Sequence, residues 1–298
     1  MDPYKLKKDF PVLDDETLVY LDTAASSLKP LKVLDEMDEY YKKYGVNVHR
    51  GVYNISFIAT NKYHEAREKV SDFIKADFNE VIFTRGASSA LNLVASSYGL
   101  NNLTSEDEIV VSELEHHSHV LPWQNVSRIT GAKLVYVPLN KEGRITIENF
   151  KKVLTNKTKV VALTYVSNVM GYISPMKEII TLSHQVGAVV SVDAAQAAPH
   201  KAIDVKELDC DFLSFSGHKM LGPTGIGVLY GKRTLLEAMP PVEFGGDMND
   251  NVNKFDASWK ESPYKFETGT PPIAEAIGLG AAIDYLLDKG LENIAAHE

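Results

Sequence analysis

Short apolar runs alternate with longer amphipathic stretches along most of the chain. The apolar runs have the length of buried strands, and the amphipathic stretches repeat at helical spacing. The predicted strands cover 18–21, 81–83, 108–112, 133–137, 160–165, 187–193 and 212–215, with another after the glycine-rich turn that begins near 220. The predicted helices start near 30 and cover 60–74, 146–154, 176–186 and 272–287. This alternation predicts an α/β domain with parallel strands.

Charge and composition narrow the function classes. The net charge of −9, with no basic tract, argues against nucleic acid as a partner. No apolar run reaches the ~18 residues of a membrane span, and the first residues lack the apolar segment of a secretion signal. A single cysteine, Cys210, allows no internal disulfide and suits a reducing cytosol. We therefore expect a soluble, cytoplasmic enzyme of 298 residues built on one large domain.

Two charged residues follow neighbouring predicted strands. Lys219 comes just after 212–215, and Asp193 ends the preceding strand, so parallel strands would bring both to one sheet edge. A buried, charged lysine is costly unless its nitrogen is paired or forms a Schiff base with a carbonyl cofactor. A carboxylate beside a pyridine nitrogen keeps that nitrogen protonated, which favours pyridoxal phosphate as the cofactor. A solvated surface lysine is the alternative.

Further polar residues follow other strands. Ser88 begins a helix after the turn at Gly86, where free amides and hydroxyls favour a phosphate, although an ordinary serine N-cap is the commoner explanation. Asn168 stands at the end of 160–165. His117 and His119 would share a face if their segment stays extended, but nothing nearby completes a ligand set. We therefore expect a histidine that stacks on a flat ring, and no metal.

Eight motifs spread over nearly the whole chain carry a family resemblance. They are DTAAS at 22–26, VHRG at 48–51, RGAS at 85–88, EHH at 115–117, VSNV at 166–169, VDAAQ at 192–196, SGHKMLGPTG at 216–225 and ETGTP at 267–271. With these motifs the chain resembles a fold-type I pyridoxal-phosphate enzyme of the class V aminotransferase group, most closely the SufS/CsdA-type cysteine desulfurases. The resemblance implies a three-layer α/β/α large domain around a mostly parallel sheet, followed by a small C-terminal domain.

The resemblance also implies roles for individual residues. Lys219 carries the cofactor and is catalytic together with His117, which stacks on the ring, and Asp193 binds the pyridinium. Gln196 and Asn168 lie next to the ring oxygen and on the substrate side of the cofactor. The phosphate is bound by the Ala87 amide, Ser88, Ser216, His218 and, across a homodimer interface, Thr270. The substrate pocket is bordered by Ala24, Ala25, His49, Arg50 and Asn168. Relatives often carry a threonine where Ala87 stands, so at most one hydroxyl bond of about 0.5–1.5 kcal/mol is lost.

The same resemblance divides the chain. Residues 1–25 form an N-terminal segment, 26–265 the cofactor-binding large domain, and 266–298 a helix leading toward a C-terminal domain that we expect to be largely missing. In the family that domain carries the persulfide-forming cysteine and the arginine that binds the substrate carboxylate. Cys210 is not a substitute, because its acidic neighbours Asp209 and Asp211 would raise the pKa of its thiol. We expect Cys210 to be a packing residue.

The expected function is therefore cysteine desulfuration. Sulfur leaves L-cysteine to give alanine and a protein persulfide for iron–sulfur cluster assembly, a sulfur-acceptor protein is the partner, and turnover is impaired in the chain as it stands. Two alternatives stay open. One is another class V lyase or aminotransferase that acts on a different amino acid. The other is a non-catalytic fragment that binds the cofactor and serves as a scaffold.

Overall fold

The computed structural model describes residues 2–297, and within them the strands form a seven-stranded main sheet and a separate hairpin. The strands are β1 (Val81–Thr84), β2 (Glu108–Ser112), β3 (Lys133–Val137), β4 (Thr158–Thr164), β5 (Val189–Asp193), β6 (Phe212–Ser216), β7 (Gly227–Gly231), β8 (Asn249–Val252) and β9 (Ala257–Trp259). The hairpin pairs β8 with β9.

The main sheet has the strand order β1-β7-β6-β5-β4-β2-β3. The five strands β3, β2, β4, β5 and β6 lie side by side in this order and pair in parallel with one another. Strand β7 runs antiparallel to both β1 and β6. The mostly parallel sheet predicted for this chain is confirmed, and the carboxyl ends of β4, β5 and β6 meet at one edge.

Helices connect the strands and flank the sheet. They are α1 (Pro3–Leu6), α2 (Leu31–Glu39), α3 (Asn54–Ile74), α4 (Ala87–Val94), α5 (Leu100–Asn102), α6 (His117–Thr130), α7 (Ile147–Lys151), α8 (Met176–Gln185), α9 (Val205–Leu208), α10 (Arg233–Ala238), α11 (Ile273–Lys289) and α12 (Leu291–His297). None of the helices between residues 2 and 297 has the length and apolar character of a membrane span.

Both faces of the sheet are covered by helices. Val161 and Leu163 of β4 join a core shared with α3, α8 and α11, whereas Val160 and Ala162 point to the other face and pack with α4, α6 and α10. This two-residue alternation is the geometry of a strand buried on both sides. The three-layer α/β/α architecture is thus confirmed.

Two local predictions differ from the structure. The segment 18–21 forms no strand, and Val19 is 77% and Leu21 90% exposed, so the predicted strand is wrong. An apolar run becomes a strand only where a neighbouring strand accepts its backbone hydrogen bonds. The helix predicted over 60–74 begins earlier, at Asn54, because residues 54–59 continue the same helix.

Helix α11 packs against α2 and α3, and its buried residues Ile273 and Ile277 belong to the same core as β4. Leu287, at the end of the helix predicted over 272–287, is exposed. The domain boundaries predicted at 25 and 265 stay predictions, and their outer limits, Met1 and Glu298, lie outside the described residues.

Candidate active site

A cavity of about 460 Å³ opens at the carboxyl edge of the main sheet, where β4, β5 and β6 end and α4 begins. Open α/β sheets bind ligands at this edge. Most of the predicted site residues line this space, which we call the edge cavity: Ala24, Ala25, Ala87, Ser88, Asn168, Asp193, Gln196, Ser216, His218 and Lys219.

Asp193 and Lys219 reach the edge cavity from adjacent parallel strands. Asp193 is the last residue of β5, and Lys219 ends the single helical turn that follows β6. The Asp193 Oδ1 accepts a hydrogen bond from the Ala195 amide at 2.9 Å, which fixes the carboxylate. Burial lowers the pKa of Lys219, and the negative charge of Asp193 partly opposes that shift. More of the lysine is therefore a neutral, nucleophilic amine near neutral pH than for an exposed lysine.

The N-terminus of α4 forms a second wall of the cavity. Its first amide, that of Ala87, donates to the Ser216 Oγ at 2.8 Å, and the Oγ atoms of Ser88 and Ser118 lie 2.6 Å apart. Gly86, the N-cap residue of this helix, has no side chain that could cap it. The arrangement depends on Gly227, because a Cβ there would lie 2.4 Å from the Gly86 Cα. Helix amides together with hydroxyl groups form a site suited to a phosphate.

His218 lines the cavity between the lysine and the N-terminal segment. Its Nδ1 lies 3.3 Å from the Ser26 Oγ. Burial lowers the pKa of His218, and the nearby charges of Lys219 and Lys29 lower it further. The imidazole is therefore kept mostly neutral near pH 7, when it can still donate one hydrogen bond to an anion.

The N-terminal segment covers one side of the cavity. Ala24 and Ala25 line it, and the Gln196 Nε2 donates to the Ala24 carbonyl at 2.8 Å. Small side chains at these two positions leave the space open for a ligand. The predicted location of Ala24, Ala25 and Gln196 at one site agrees with this geometry.

The histidine at the edge cavity is His116, not His117. His116 is the N-cap of α6, and its Nδ1 accepts a hydrogen bond from the Ser118 amide at 3.1 Å. His117, the first residue of the helix, points to a separate depression with Asn92 and Leu121. The chain turns into a helix directly after His116, so the two neighbouring rings diverge. The ring-stacking role predicted for His117 therefore fits His116 better.

The same helix separates His117 from His119. His119 is fully buried, and its Nδ1 lies 2.8 Å from the Glu115 carboxylate, which also accepts a hydrogen bond from the Ser112 hydroxyl at 2.6 Å. The extended conformation that would have placed His117 and His119 on one face is absent from this part of the described chain. The Glu115–His119 pair instead fixes the loop that carries His116.

Besides His117, three more predicted residues lie away from the edge cavity. His49 lines a depression of about 210 Å³ with Tyr264, and Arg50 forms an ion pair with Asp247. Thr270 lines a wide groove of about 840 Å³. Within a single chain the structure thus does not bring His49, Arg50 and Thr270 together with Lys219.

The family model for class-V aminotransferases matches residues 19–298. The chain belongs to the class-V aminotransferase family. A probable cysteine desulfurase of Halalkalibacterium halodurans is 57% identical over all of this chain and 75% of its own length, and one of Staphylococcus epidermidis (strain RP62A) is 52% identical over 98% and 72%. This chain therefore spans about three quarters of the length of these relatives.

Solved structures agree with this assignment. The cysteine desulfurase CsdA of Escherichia coli superposes with a TM-score of 0.91 at 41% identity, over 98% of this chain and 73% of its own. The apo cysteine desulfurase of Thermococcus onnurineus gives a TM-score of 0.95 at 41% identity, over 99% and 73%. Within the class-V family, the chain is a cysteine desulfurase homologue with the fold of that group.

The segment of this class-V chain that carries Thr270 is anchored in the interior. Arg67 of α3 is fully buried and forms two hydrogen bonds of 2.7 Å to the Glu267 carboxylate. Glu267 also accepts the Phe83 amide of β1 at 2.7 Å. The sequence analysis includes Glu267 only as part of the motif at 267–271 and does not single out Arg67, because no local pattern links positions so far apart in the chain.

Cys210 lies just before β6 and is fully buried. Burial raises the pKa of its thiol, and the adjacent Asp211 raises it further. The packing role predicted for Cys210 fits this environment, because a thiol with a raised pKa and no solvent contact is unreactive.

Proposed function

We propose that the chain binds pyridoxal 5′-phosphate in the edge cavity and removes sulfur from L-cysteine, leaving alanine. The observation that carries the proposal is the arrangement of Asp193, Lys219 and the α4 N-terminus around one cavity. These groups match the pyridine nitrogen, the aldehyde and the phosphate of the cofactor. The cavity volume of about 460 Å³ suits a ligand of this size. The residues present therefore fit the cofactor.

The bound cofactor supplies an electron sink that weakens the bonds at the α carbon of an amino acid. Asp193 would keep the pyridine nitrogen protonated. Lys219 would attach the cofactor through Nζ and move protons to and from the substrate at the same atom. The lowered pKa of Lys219 supports both roles, because the neutral amine attacks a carbonyl and accepts a proton.

The phosphate would lie at the α4 N-terminus. The hydroxyls of Ser88 and Ser216, the His218 ring and the Ala87 amide are the donors that line this part of the cavity. The methyl group of Ala87 offers no hydroxyl bond. The binding energy would therefore come from charge-assisted bonds to the amide, the imidazole and the serines.

The flat ring would be held by His116 on one face, in the role first predicted for His117. Gln196 and Asn168 would address the ring oxygen, with Asn168 also on the substrate side. Ala24 and Ala25 would border the substrate. The hydrogen bond from Gln196 to the Ala24 carbonyl supports this placement, because it joins the ring side of the cavity to the substrate side.

A homodimer would explain the residues that lie elsewhere. Ser88 lines both the edge cavity and the wide groove that contains Thr270. A second copy seated in that groove would approach the α4 N-terminus, so His49, Arg50 and Thr270 would serve the partner's site. We propose a cytoplasmic homodimer that passes sulfur to an acceptor protein of iron–sulfur cluster assembly.

The sulfur needs an acceptor thiolate. L-Cysteine and a thiol react to give alanine and a persulfide, so one C–S bond breaks, one S–S bond forms, and the proton released by the thiol is taken up by the alanine product. Cys210 is the one cysteine among the 298 residues, and it is buried. Turnover by these residues alone should therefore depend on an added thiol.

The direct test is reconstitution of the purified chain with pyridoxal 5′-phosphate. A visible absorption band, a borohydride-reducible adduct mapped to Lys219, and alanine formation from L-cysteine with added dithiothreitol are expected. Lys219→Ala should lose the adduct while the cofactor still binds non-covalently. An adduct that persists in Lys219→Ala would overturn the lysine assignment.

Amino-acid specificity separates the remaining functions. Product formation from a different amino acid but not from L-cysteine would identify another class V lyase or aminotransferase. A protein that stays colourless with added cofactor would contradict the cofactor proposal and favour a scaffold. Sedimentation of the wild-type chain tests the dimer independently of either result.

A further inference from the structure

The backbone carbonyl of His218 accepts hydrogen bonds from a distant part of the chain. The Ser27 amide and the Ser27 hydroxyl each lie 2.9 Å from this oxygen, and the Lys29 Nζ lies 3.0 Å from it. The Ser27 Oγ also accepts the Leu221 amide at 2.7 Å. The carbonyl of the peptide group that joins His218 to Lys219, and the Leu221 amide that follows it, are thus both bound by residues 27–29.

Lys29 is the charged member of this set. Its ammonium group also donates to the carbonyl of Ser27, so one Nζ bridges the N-terminal segment and the peptide before Lys219. The side chain is partly buried, and no carboxylate in residues 2–297 lies within ion-pair distance of it. Burial lowers the pKa of Lys29 to about 8.

Such a placement is costly. An ammonium removed from water without a counter-charge loses hydration that two carbonyl oxygens replace only in part. Lys32, close by on α2, shows the ordinary alternative, since it is exposed to solvent. A functional role for the bridge would account for this desolvation cost. The charged Lys29 ammonium donates stronger hydrogen bonds than the neutral amide and hydroxyl groups of Ser27 do.

We propose that Lys29 is a positioning residue for Lys219, acting through the His218 carbonyl. Its ammonium joins the segment that borders the edge cavity to the peptide that carries the lysine, so the cavity wall and the amine keep one relative position. Lys29 itself does not line the edge cavity. The inference rests on the proposed function in taking Lys219 as the amine that holds the cofactor.

Hydrogen exchange of the cofactor-free protein tests the bridge without reference to activity. Lys29→Met should speed exchange of the Leu221 amide about tenfold, since the loss of a charge-assisted bond loosens residues 217–222. Lys29→Arg should keep most of the protection. Lys32→Met, which removes the same charge from an exposed position, should match the wild type.

Steady-state kinetics of the reconstituted protein give the second measurement. Lys29→Met should lower kcat about tenfold with KM within about twofold, and Lys29→Arg should restore most of the rate. Wild-type exchange and kinetics in Lys29→Met would overturn the proposal. Faster exchange with no turnover of any amino acid by the wild type would leave the bridge standing and refute the proposed function instead.

Folding is a separate question, which Lys29→Gln addresses. This second neutral variant should fold and show the same faster exchange as Lys29→Met. If both neutral variants unfold while Lys32→Met stays folded, Lys29 is a folding residue and the positioning role is wrong.

Discussion

Arg67 and Glu267 form a bidentate ion pair in the interior, with both nitrogen–oxygen distances at 2.7 Å. The guanidinium also donates to the Val81 carbonyl and lies over the Phe83 ring. Burial alone would lower the pKa of Arg67, but the adjacent Glu267 carboxylate raises it overall. The pair joins α3, β1 and the segment before α11, and so fixes where Thr270 is presented.

Glu267→Gln should destabilise the protein by about 3–5 kcal/mol, because it leaves the buried Arg67 charge without its counter-ion. Urea unfolding followed by circular dichroism measures the change. Glu261→Gln is the matched control. Glu261 is exposed, and its carboxylate lies 3.8 Å from the exposed guanidinium of Arg233, so this variant should change stability by less than about 1 kcal/mol. Equal midpoints for the two variants would show that the interior pair contributes little.

Local sequence patterns were sufficient to place Asp193 and Lys219. Each follows a buried strand, and consecutive parallel strands end at the same edge of a sheet, so the crossover alone brings them together. The first turn of α4 does not follow from this rule, because β1, the strand before it, pairs antiparallel with β7. Asp193 and Lys219 need only the order of the elements along the chain.

Other parts depend on details that the patterns do not contain. The choice between His116 and His117 turns on the single residue at which α6 begins, and helix starts cannot be read that closely from sequence. The segment 18–21 lacks a strand partner, which no local pattern reveals. The Arg67–Glu267 pair and the Lys29 bridge join residues far apart in the chain, so only the folded structure brings them to notice.

His116→Ala and His117→Ala form a matched pair of variants. His116→Ala should reduce turnover of the reconstituted protein roughly 100-fold, in the range of an acid–base or ring-positioning group, and should shift the absorption band of the bound cofactor. His117→Ala should leave both within about twofold of the wild type. A loss of turnover in His117→Ala but not in His116→Ala would identify His117 as the stacking histidine instead.

Cys210 should be unreactive in the folded protein. Burial raises the pKa of its thiol and excludes solvent, so a disulfide reagent such as DTNB should label it only after unfolding in guanidinium chloride. Incubation with L-cysteine and the cofactor should leave no persulfide on Cys210 by mass spectrometry. Rapid labelling of the native protein, or a persulfide on Cys210, would contradict the packing role.

The reactivity of Lys219 should depend on pH in a direction that its surroundings set. Only the neutral amine reacts with acetic anhydride, and burial lowers the pKa of Lys219, so its acetylation in the cofactor-free protein should reach half its maximum rate at lower pH than is ordinary for a lysine side chain. Asp193 raises the pKa of Lys219, so Asp193→Asn should move this midpoint further down. His218 is the adjacent titrating group, and His218→Gln controls for its charge. Peptide mapping by mass spectrometry measures each rate. An upward shift in Asp193→Asn would mean that the carboxylate does not act on Lys219, and the pairing on which the proposed cofactor site depends would fail.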